Sequence, residues 1–338
     1  MTEIGVVIPT YNRAGLIGET LDAVFAQTLP PDEVIVVDDG STDDTQSVLA
    51  SYLSRVRPLR ITNSGELAAR NAGLRAAQSR LVAFCDSDDL WTPDFLATMS
   101  AQWHAEPKLI ACYADFRILQ NGARSARSKF EDAPGDYWHG LRATGPEAGV
   151  FDHAIVERLL SFQPFFPSCM MVSRAAFLHA GGWDEGVSRI VGCDFATTLR
   201  VAALPPLGVV RRPLVAIRKH ASNFSGDTEA MNLGDARVLD HVLRTRPELA
   251  PLGNAIRGSI ARRRHAALDS AFLRRDFPAV REIYRLLPPN LRRAKQKAKR
   301  AIAALPPPLD ALTAALVSRQ SHARMRGHPG FCDACRRG

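Results

Sequence analysis

Leu81-Val82-Ala83-Phe84-Cys85-Asp86-Ser87-Asp88-Asp89 is a strand-length apolar run that ends in three carboxylates where it meets water. Acids packed this closely repel one another unless a cation holds them. Hard oxygen donors suit Mg²⁺ or Mn²⁺, and an ion gripped by one or two carboxylates completes its shell with water and substrate phosphates. A phosphorylated substrate is therefore the first expectation. The alternative is an acidic turn ahead of a helix, because Thr92 before Pro93 in Trp91-Thr92-Pro93-Asp94-Phe95 is a good helix start.

Upstream, Glu33-Val34-Ile35-Val36-Val37 repeats the pattern: a β-branched run that ends in Asp38-Asp39 and leads into Gly40-Ser41-Thr42-Asp43-Asp44. Two buried-type strands that both end in Asp, each followed by a helical segment, put their carboxylates along the carboxyl edge of one parallel sheet. Open α/β sheets bind ligands at that edge. Ile4-Gly5-Val6-Val7-Ile8 agrees, running into Pro9-Thr10-Tyr11-Asn12-Arg13. There Pro9 is expected to stop strand pairing and Asn12 to cap a helix carrying Leu16, Ile17, Leu21, Val24 and Phe25. The first ninety residues read β-α-β-α-(β)-α-β, so the fold class is α/β: a mostly parallel, Rossmann-like sheet flanked by helices.

Four of these segments carry a resemblance. Val7-Ile8-Pro9-Thr10-Tyr11-Asn12-Arg13, Val37-Asp38-Asp39-Gly40-Ser41-Thr42-Asp43, Ala69-Arg70-Asn71-Ala72-Gly73 and Phe84-Cys85-Asp86-Ser87-Asp88-Asp89 stand in the order and spacing of family 2 glycosyltransferases. The similarity extends through Gly181-Gly182-Trp183-Asp184-Glu185, Cys193-Asp194 and Arg218-Lys219-His220-Ala221-Ser222-Asn223-Phe224-Ser225, about two thirds of the chain. The resemblance implies a GT-A fold, a nucleotide-sugar donor, a divalent metal (Mn²⁺ or Mg²⁺) and inversion at the anomeric carbon.

It also implies roles. Asp39 is expected to accept the ring N–H of the nucleobase, with Pro9, Thr10 and Tyr11 lining the same pocket. Arg70, near the start of a helix, would meet the base or the pyrophosphate. Asp86 is expected near the ribose and Asp88 on the metal, with Asp89 either supporting them or opening the next helix. His220 closes over the diphosphate or ligates the metal, with Arg218 and Lys219 adding positive charge. Inversion needs a carboxylate opposite the leaving group to take the acceptor's proton, and Asp194 is the candidate, at the first turn of a helix. Related sequences more often have Glu-Asp where this chain has Cys193-Asp194. Trp183 and Asp184 are expected on the acceptor side, the indole as an apolar platform and the carboxylate on a hydroxyl. Each assignment has a plainer rival: a solvated turn Asp, a helix cap, a surface arginine, a core tryptophan.

Length and charge suggest two parts. The 338 residues allow one sizeable α/β core and an additional helical unit. Residues 1–240 carry a balance of −7 and residues 241–338 a balance of +15, so the overall +8 belongs to the tail. We therefore expect a glycosyltransferase domain over 1–240 and a basic helical extension over 241–338 whose end is disordered. Within it, residues 266–287 read as a helix pair broken near Arg275-Asp276-Phe277-Pro278. Next comes a helix from Leu291 to Ile302 with six basic residues and a thin alanine stripe, which suits electrostatic contact with anionic headgroups. Nucleic acid is a poor partner, because no binding module or interleaved aromatics accompany the charge.

No apolar run approaches bilayer-spanning length, and the chain opens on a strand rather than a signal peptide. The expected location is the cytoplasm, with peripheral contact at the inner face of the plasma membrane. Six scattered cysteines suit a reducing compartment, and Cys332 and Cys335, near His322 and His328, make at most half a zinc site. Residues 115–165, with Ala133-Pro134-Gly135-Asp136-Tyr137-Trp138, read as an irregular loop deciding acceptor specificity. The functional expectation is metal-dependent, inverting transfer of a sugar, from UDP-sugar by preference, to a glycan or lipid-linked acceptor in cell-envelope polysaccharide assembly. A sugar nucleotidyltransferase and a catalytically silent docking protein are the rivals.

Overall fold

A computed structural model describes residues 3–220 and 227–306; Asn223, Ser225, His322, His328, Cys332 and Cys335 lie outside the described residues. The amino-terminal half alternates β1 (Ile4–Thr10), α1 (Ile17–Phe25), β2 (Glu33–Asp38), α2 (Thr45–Ala50), β3 (Arg57–Arg60), α3 (Glu66–Ala76) and β4 (Leu81–Phe84). These four strands are parallel, in the order β3-β2-β1-β4. Then follow β5 (Leu90–Trp91), α4 (Phe95–Ala105), β6 (Ala111–Gln120), β7 (Ala123–Arg124), β8 (Arg142–Gly145), β9 (Ala148–Phe151) and α5 (Val156–Leu159). The remainder comprises β10 (Met170–Ser173), α6 (Arg174–His179), α7 (Asp194–Ala202), β11 (Leu207–Lys219), α8 (Thr228–Thr245), α9 (Gly253–Leu273), α10 (Phe277–Leu286) and α11 (Ala294–Ile302). The sheet continues from β4 through β10-β6-β11-β9-β8, with β10 antiparallel to both neighbours and β11 parallel to β6. β5 pairs with β11 and β7 with β6.

Period-two alternation fills both faces. Val7, Ile35 and Val37 point into one core with α3 and α7, whereas Val6, Ile8, Val34 and Val36 point into the other with α1 and α4. At Gly73 of α3 a Cβ would stand 2.4 Å from Val7 Cγ1 and 3.0 Å from Val37 Cγ2, so the helix carrying Arg70 lies against β1 and against β2, which leads into the Asp38-Asp39 turn.

Several local expectations are corrected. Pro9 does not end β1: its ladder with β2 runs on through Pro9 opposite Val37 to Thr10 opposite Asp38, while the ladder with β4 ends at Val7 opposite Phe84. A residue without an N–H is tolerated where only one side is paired. Asn12 does not cap α1. It adopts φ 52°, and its side-chain oxygen accepts the Thr42 N–H (2.8 Å) and the Asp43 N–H (3.3 Å), joining the turns after β1 and β2. Thr92 does not open α4 either: Leu90–Trp91 form a short strand, and the Thr92 hydroxyl donates to Asp94, which precedes the first helical residue, Phe95.

The boundary expected at 240/241 falls inside α8. Ala236, Val238, Leu239, Val242, Leu249, Ile256 and Ile260 are part of the main core, so the extension grows out of it without a linker. Further along, Leu268, Phe272, Phe277, Val280, Ile283 and Ile302 of α9, α10 and α11 form a satellite core, and Asp276 caps α10 by accepting the Ala279 N–H. The basic helix is docked, not free: Lys295 and Lys299 both reach Asp269 (2.7 and 2.8 Å), and Lys299 sits over the Phe272 ring. The segment read as an irregular loop contains the β8–β9 hairpin, and Tyr137 and Trp138 are packed with Phe130, Phe151 and Phe162. Among the described residues no helix is long and apolar enough to cross a membrane.

Candidate active site

The carboxyl ends of β1, β2 and β4 bring Thr10, Tyr11, Asp39, Asp86, Asp88 and Asp89 to one edge of the sheet, as open α/β topology dictates. Ser168, from the turn before β10, organises the acids. Its hydroxyl accepts the Asp86 N–H (2.9 Å) and donates to Asp89 (2.5 Å), whose second oxygen accepts the Arg218 N–H from β11 (2.9 Å). Asp89 is buried, and burial with Asp88 and Asp86 alongside pushes its carboxyl well above the usual range. It supports the neighbouring segments and starts no helix. Nothing in the sequence marked Ser168, which acts across 79 positions.

Asp88 and His220 meet: the imidazole Nε2 lies 2.9 Å from Asp88 Oδ2. Arg13 Nε stands 3.7 Å from the same oxygen, and Arg218 donates to the Asp88 carbonyl. Among the described residues no group of three or more acids, cysteines and histidines forms a self-sufficient cation cage. One carboxylate and one imidazole nevertheless fit an ion such as Mn²⁺ whose remaining positions are filled by water and phosphate oxygens.

Asp39 is anchored by the backbone at the entry to α3. Both its oxygens accept backbone N–H groups, from Ser64 (2.7 Å) and Gly65 (2.8 Å), which fixes the entry to α3 and leaves each oxygen a second lone pair. It is buried, not a solvated turn residue. Pro9 and Thr10 are also buried, and Tyr11 is exposed.

Arg70 is 2% exposed and does not stand open to a base or pyrophosphate. Its Nη2 pairs with Asp86 (2.7 Å) and Glu66 (3.4 Å), and the guanidinium lies 4.9 Å from the centre of the Trp183 ring. Burying this cation is tolerable because two carboxylates flank it. Trp183, expected to offer a face to the acceptor, is instead core: it packs edge-on to Phe84 and Phe177 at 2% exposure. Asp184, expected on an acceptor hydroxyl, is engaged internally, with Arg246 and with His241 of α8 (3.4 Å). Arg246 also donates to the Ala196 carbonyl (2.6 Å), so this cluster ties the extension to α7.

Asp194 is the first residue of α7 and partly buried. Desolvation, reinforced by Glu66, Asp235 and Asp86 and opposed by Arg70, pushes its carboxyl up to about 7. Cys193 precedes it and donates its thiol to Glu66 (2.8 Å). Glu66 was not singled out from the sequence, where it reads as an ordinary first-turn acid.

A 3-2-1-4 parallel sheet with an acidic carboxyl edge, extended by a mixed set of strands, is the GT-A architecture of glycosyltransferases. The family model described as glycosyl transferase family 2 matches residues 5–178, and the chain belongs to that family. Validoxylamine A glucosyltransferase of Streptomyces hygroscopicus subsp. limoneus is 30% identical over 271 residues, 73% of this chain and 58% of that protein. The chain thus spans under two thirds of that relative's length. The putative teichuronic acid biosynthesis glycosyltransferase TuaG of Bacillus subtilis is 41% identical over 97 residues, 28% of this chain and 38% of that protein. In fold, the chain is similar to S. aureus TarS 1–349 in complex with UDP-GlcNAc, with a TM-score of 0.59 at 16% identity over 96% of this chain and 92% of that one.

Proposed function

We propose that this chain is an inverting glycosyltransferase that moves a sugar from a nucleotide donor, UDP-sugar by preference, to a glycan or lipid-linked acceptor in cell-envelope polysaccharide assembly. The observation that carries this reading is the meeting of Asp88 with His220 at the sheet edge, 132 positions apart in sequence. The envelope setting is supported by the likeness to TuaG, and the uridine preference by the similar fold solved with UDP-GlcNAc.

In this reading Asp88 and His220 hold the divalent ion. When bound, the ion neutralises charge on the departing nucleoside diphosphate. Asp39, held rigid by two backbone amides, offers its remaining lone pairs to the base N–H beside Thr10 and Tyr11. Asp86 faces the ribose, kept in position by Arg70, which contributes to donor binding through this carboxylate. Asp194 takes the proton of the acceptor hydroxyl. A base whose pKa lies near 7 is half deprotonated at neutral pH and still strong enough to accept a proton as the oxygen attacks. The exposed basic residues of the extension, Arg293 and Lys297 among them, give it peripheral contact with an anionic membrane.

The test is turnover of a nucleotide-sugar panel with Mn²⁺, Mg²⁺ or chelator, for the wild type, Asp88→Ala and Asp194→Asn. Metal-dependent release of one nucleoside diphosphate, lost in both variants, is the expected outcome. Release of pyrophosphate would identify a nucleotidyltransferase, and donor binding without turnover for any acceptor would identify a docking protein.

A further inference from the structure

We propose that Glu66 is a positioning residue for the base: from the first turn of α3 it forms an acidic pair with Asp194 of α7, and this pair sets the pH at which the acceptor hydroxyl is activated. The proposal rests on the assignment of Asp194 as base.

The geometry is a four-membered chain. Cys193 donates its thiol to Glu66 Oε1 at 2.8 Å, Glu66 Oε2 lies 3.4 Å from Arg70 Nη2, and the same Nη2 lies 2.7 Å from Asp86. Cys193 is the residue before Asp194, so Glu66 is tied by a hydrogen bond to the peptide that begins α7. Of these groups only Glu66 is more than half exposed at its side chain (54%), whereas Arg70 is buried. The carboxylate therefore reaches solvent while remaining joined to the base's own segment.

The charge around Asp194 makes Glu66 consequential. The groups that face it are Glu66 and Arg70 from α3, Asp86 after β4, Asp235 from α8, Tyr113 from β6 and its neighbour Cys193. Glu66 is the largest charged contributor raising the Asp194 carboxyl, and the Arg70 guanidinium opposes it. Arg70 Nε and Nη1 have no hydrogen-bond partner among the described residues. Neutralising Glu66 thus removes a repelling charge and leaves Arg70 shared between fewer acids. Both changes favour ionised Asp194. The thiol of Cys193 is itself held far up by burial and by Glu66, so it stays protonated as a donor and takes no charge from the pair.

The test titrates Asp194 directly and through the reaction. Carboxyl-carbon NMR of labelled aspartate, assigned by loss of one resonance in Asp194→Asn, is recorded for the wild type, Glu66→Gln and Glu66→Asp. pH–rate profiles of nucleotide-sugar turnover are recorded for the same proteins. Gln keeps an oxygen for the Cys193 thiol and drops the charge, so the Asp194 midpoint and the rising limb of the rate should both move down by roughly one pH unit. Glu66→Asp, which keeps the charge, should restore most of the wild-type midpoint. An unchanged midpoint in Glu66→Gln overturns the proposal. A midpoint that moves while the rate limb stays put shows instead that Asp194 is not the base, which sinks the underlying assignment and the proposal with it.

Discussion

At the residue scale, Asp194, the base proposed above, carries an energetic cost. Its carboxyl sits near 7 in the folded protein against 3.8 ordinarily, so between these values the folded state holds a proton that the unfolded chain has lost. Stability attached to this group is therefore complete below about pH 4 and lost as pH rises through 7. Asp194→Asn should lower turnover by roughly 10²- to 10⁴-fold. The same change should stabilise the protein at pH 8 by up to about 4 kcal/mol, and at pH 4 by little. Chemical denaturation at the two pH values checks the sign, and equal stability changes at both would refute it. The sequence showed which residue types lie near the sheet edge, since Asp86, Asp88, His220, Asp39 and Asp194 all stand there or beside it. It did not show their partners. Asp39 meets Ser64 and Gly65 and Asp184 meets Arg246, contacts that arise only when elements far apart in the chain pack together.

At the element scale, β1, β2 and β4 were legible as short apolar runs, whereas β3, Arg57-Pro58-Leu59-Arg60, has no such run and is extended where it pairs with β2. β5 was not legible: two residues have no period, and Leu90–Trp91 are extended only because β11 lies alongside. Trp183 was misplaced because an indole suits a sugar platform and a core equally well, and only the packing with Phe84 and Phe177 decides. The most exacting contact between elements lies at Gly234 of α8, where a Cβ would stand 2.0 Å from the Val191 carbonyl oxygen. Backbone cannot swing aside as a side chain can. Gly234→Ala should push α8 away from the segment that leads into α7, costing about 1–3 kcal/mol. It should also reduce turnover with little change in donor affinity, because the segment that Gly234 packs against runs into α7, whose first residue is Asp194. Thermal denaturation and donor titration test both halves, and a variant of wild-type stability would contradict the packing argument.

At the scale of the whole molecule, the charge balance changes along the chain while α8 runs unbroken from 228 to 245, across the position where composition suggested an edge. The docked basic helix leaves Arg293 and Lys297 outward while Lys299 is held by Asp269. Binding to anionic vesicles should accordingly weaken with added salt and fall several-fold in Arg293→Glu/Lys297→Glu, each lost cation contributing about 1 kcal/mol at most. Co-sedimentation reads this directly, and equal binding by the double variant would discard the membrane role. The two ends of the sheet have a different consequence. β3 is Arg57-Pro58-Leu59-Arg60, and β8 begins at Arg142, which is paired with Asp152 and Glu106. A second copy aligning on the β3 end would face two arginines and a proline that cannot donate. The sheet therefore guards its own margins against polymerisation, and crowding the chain does not by itself template fibres.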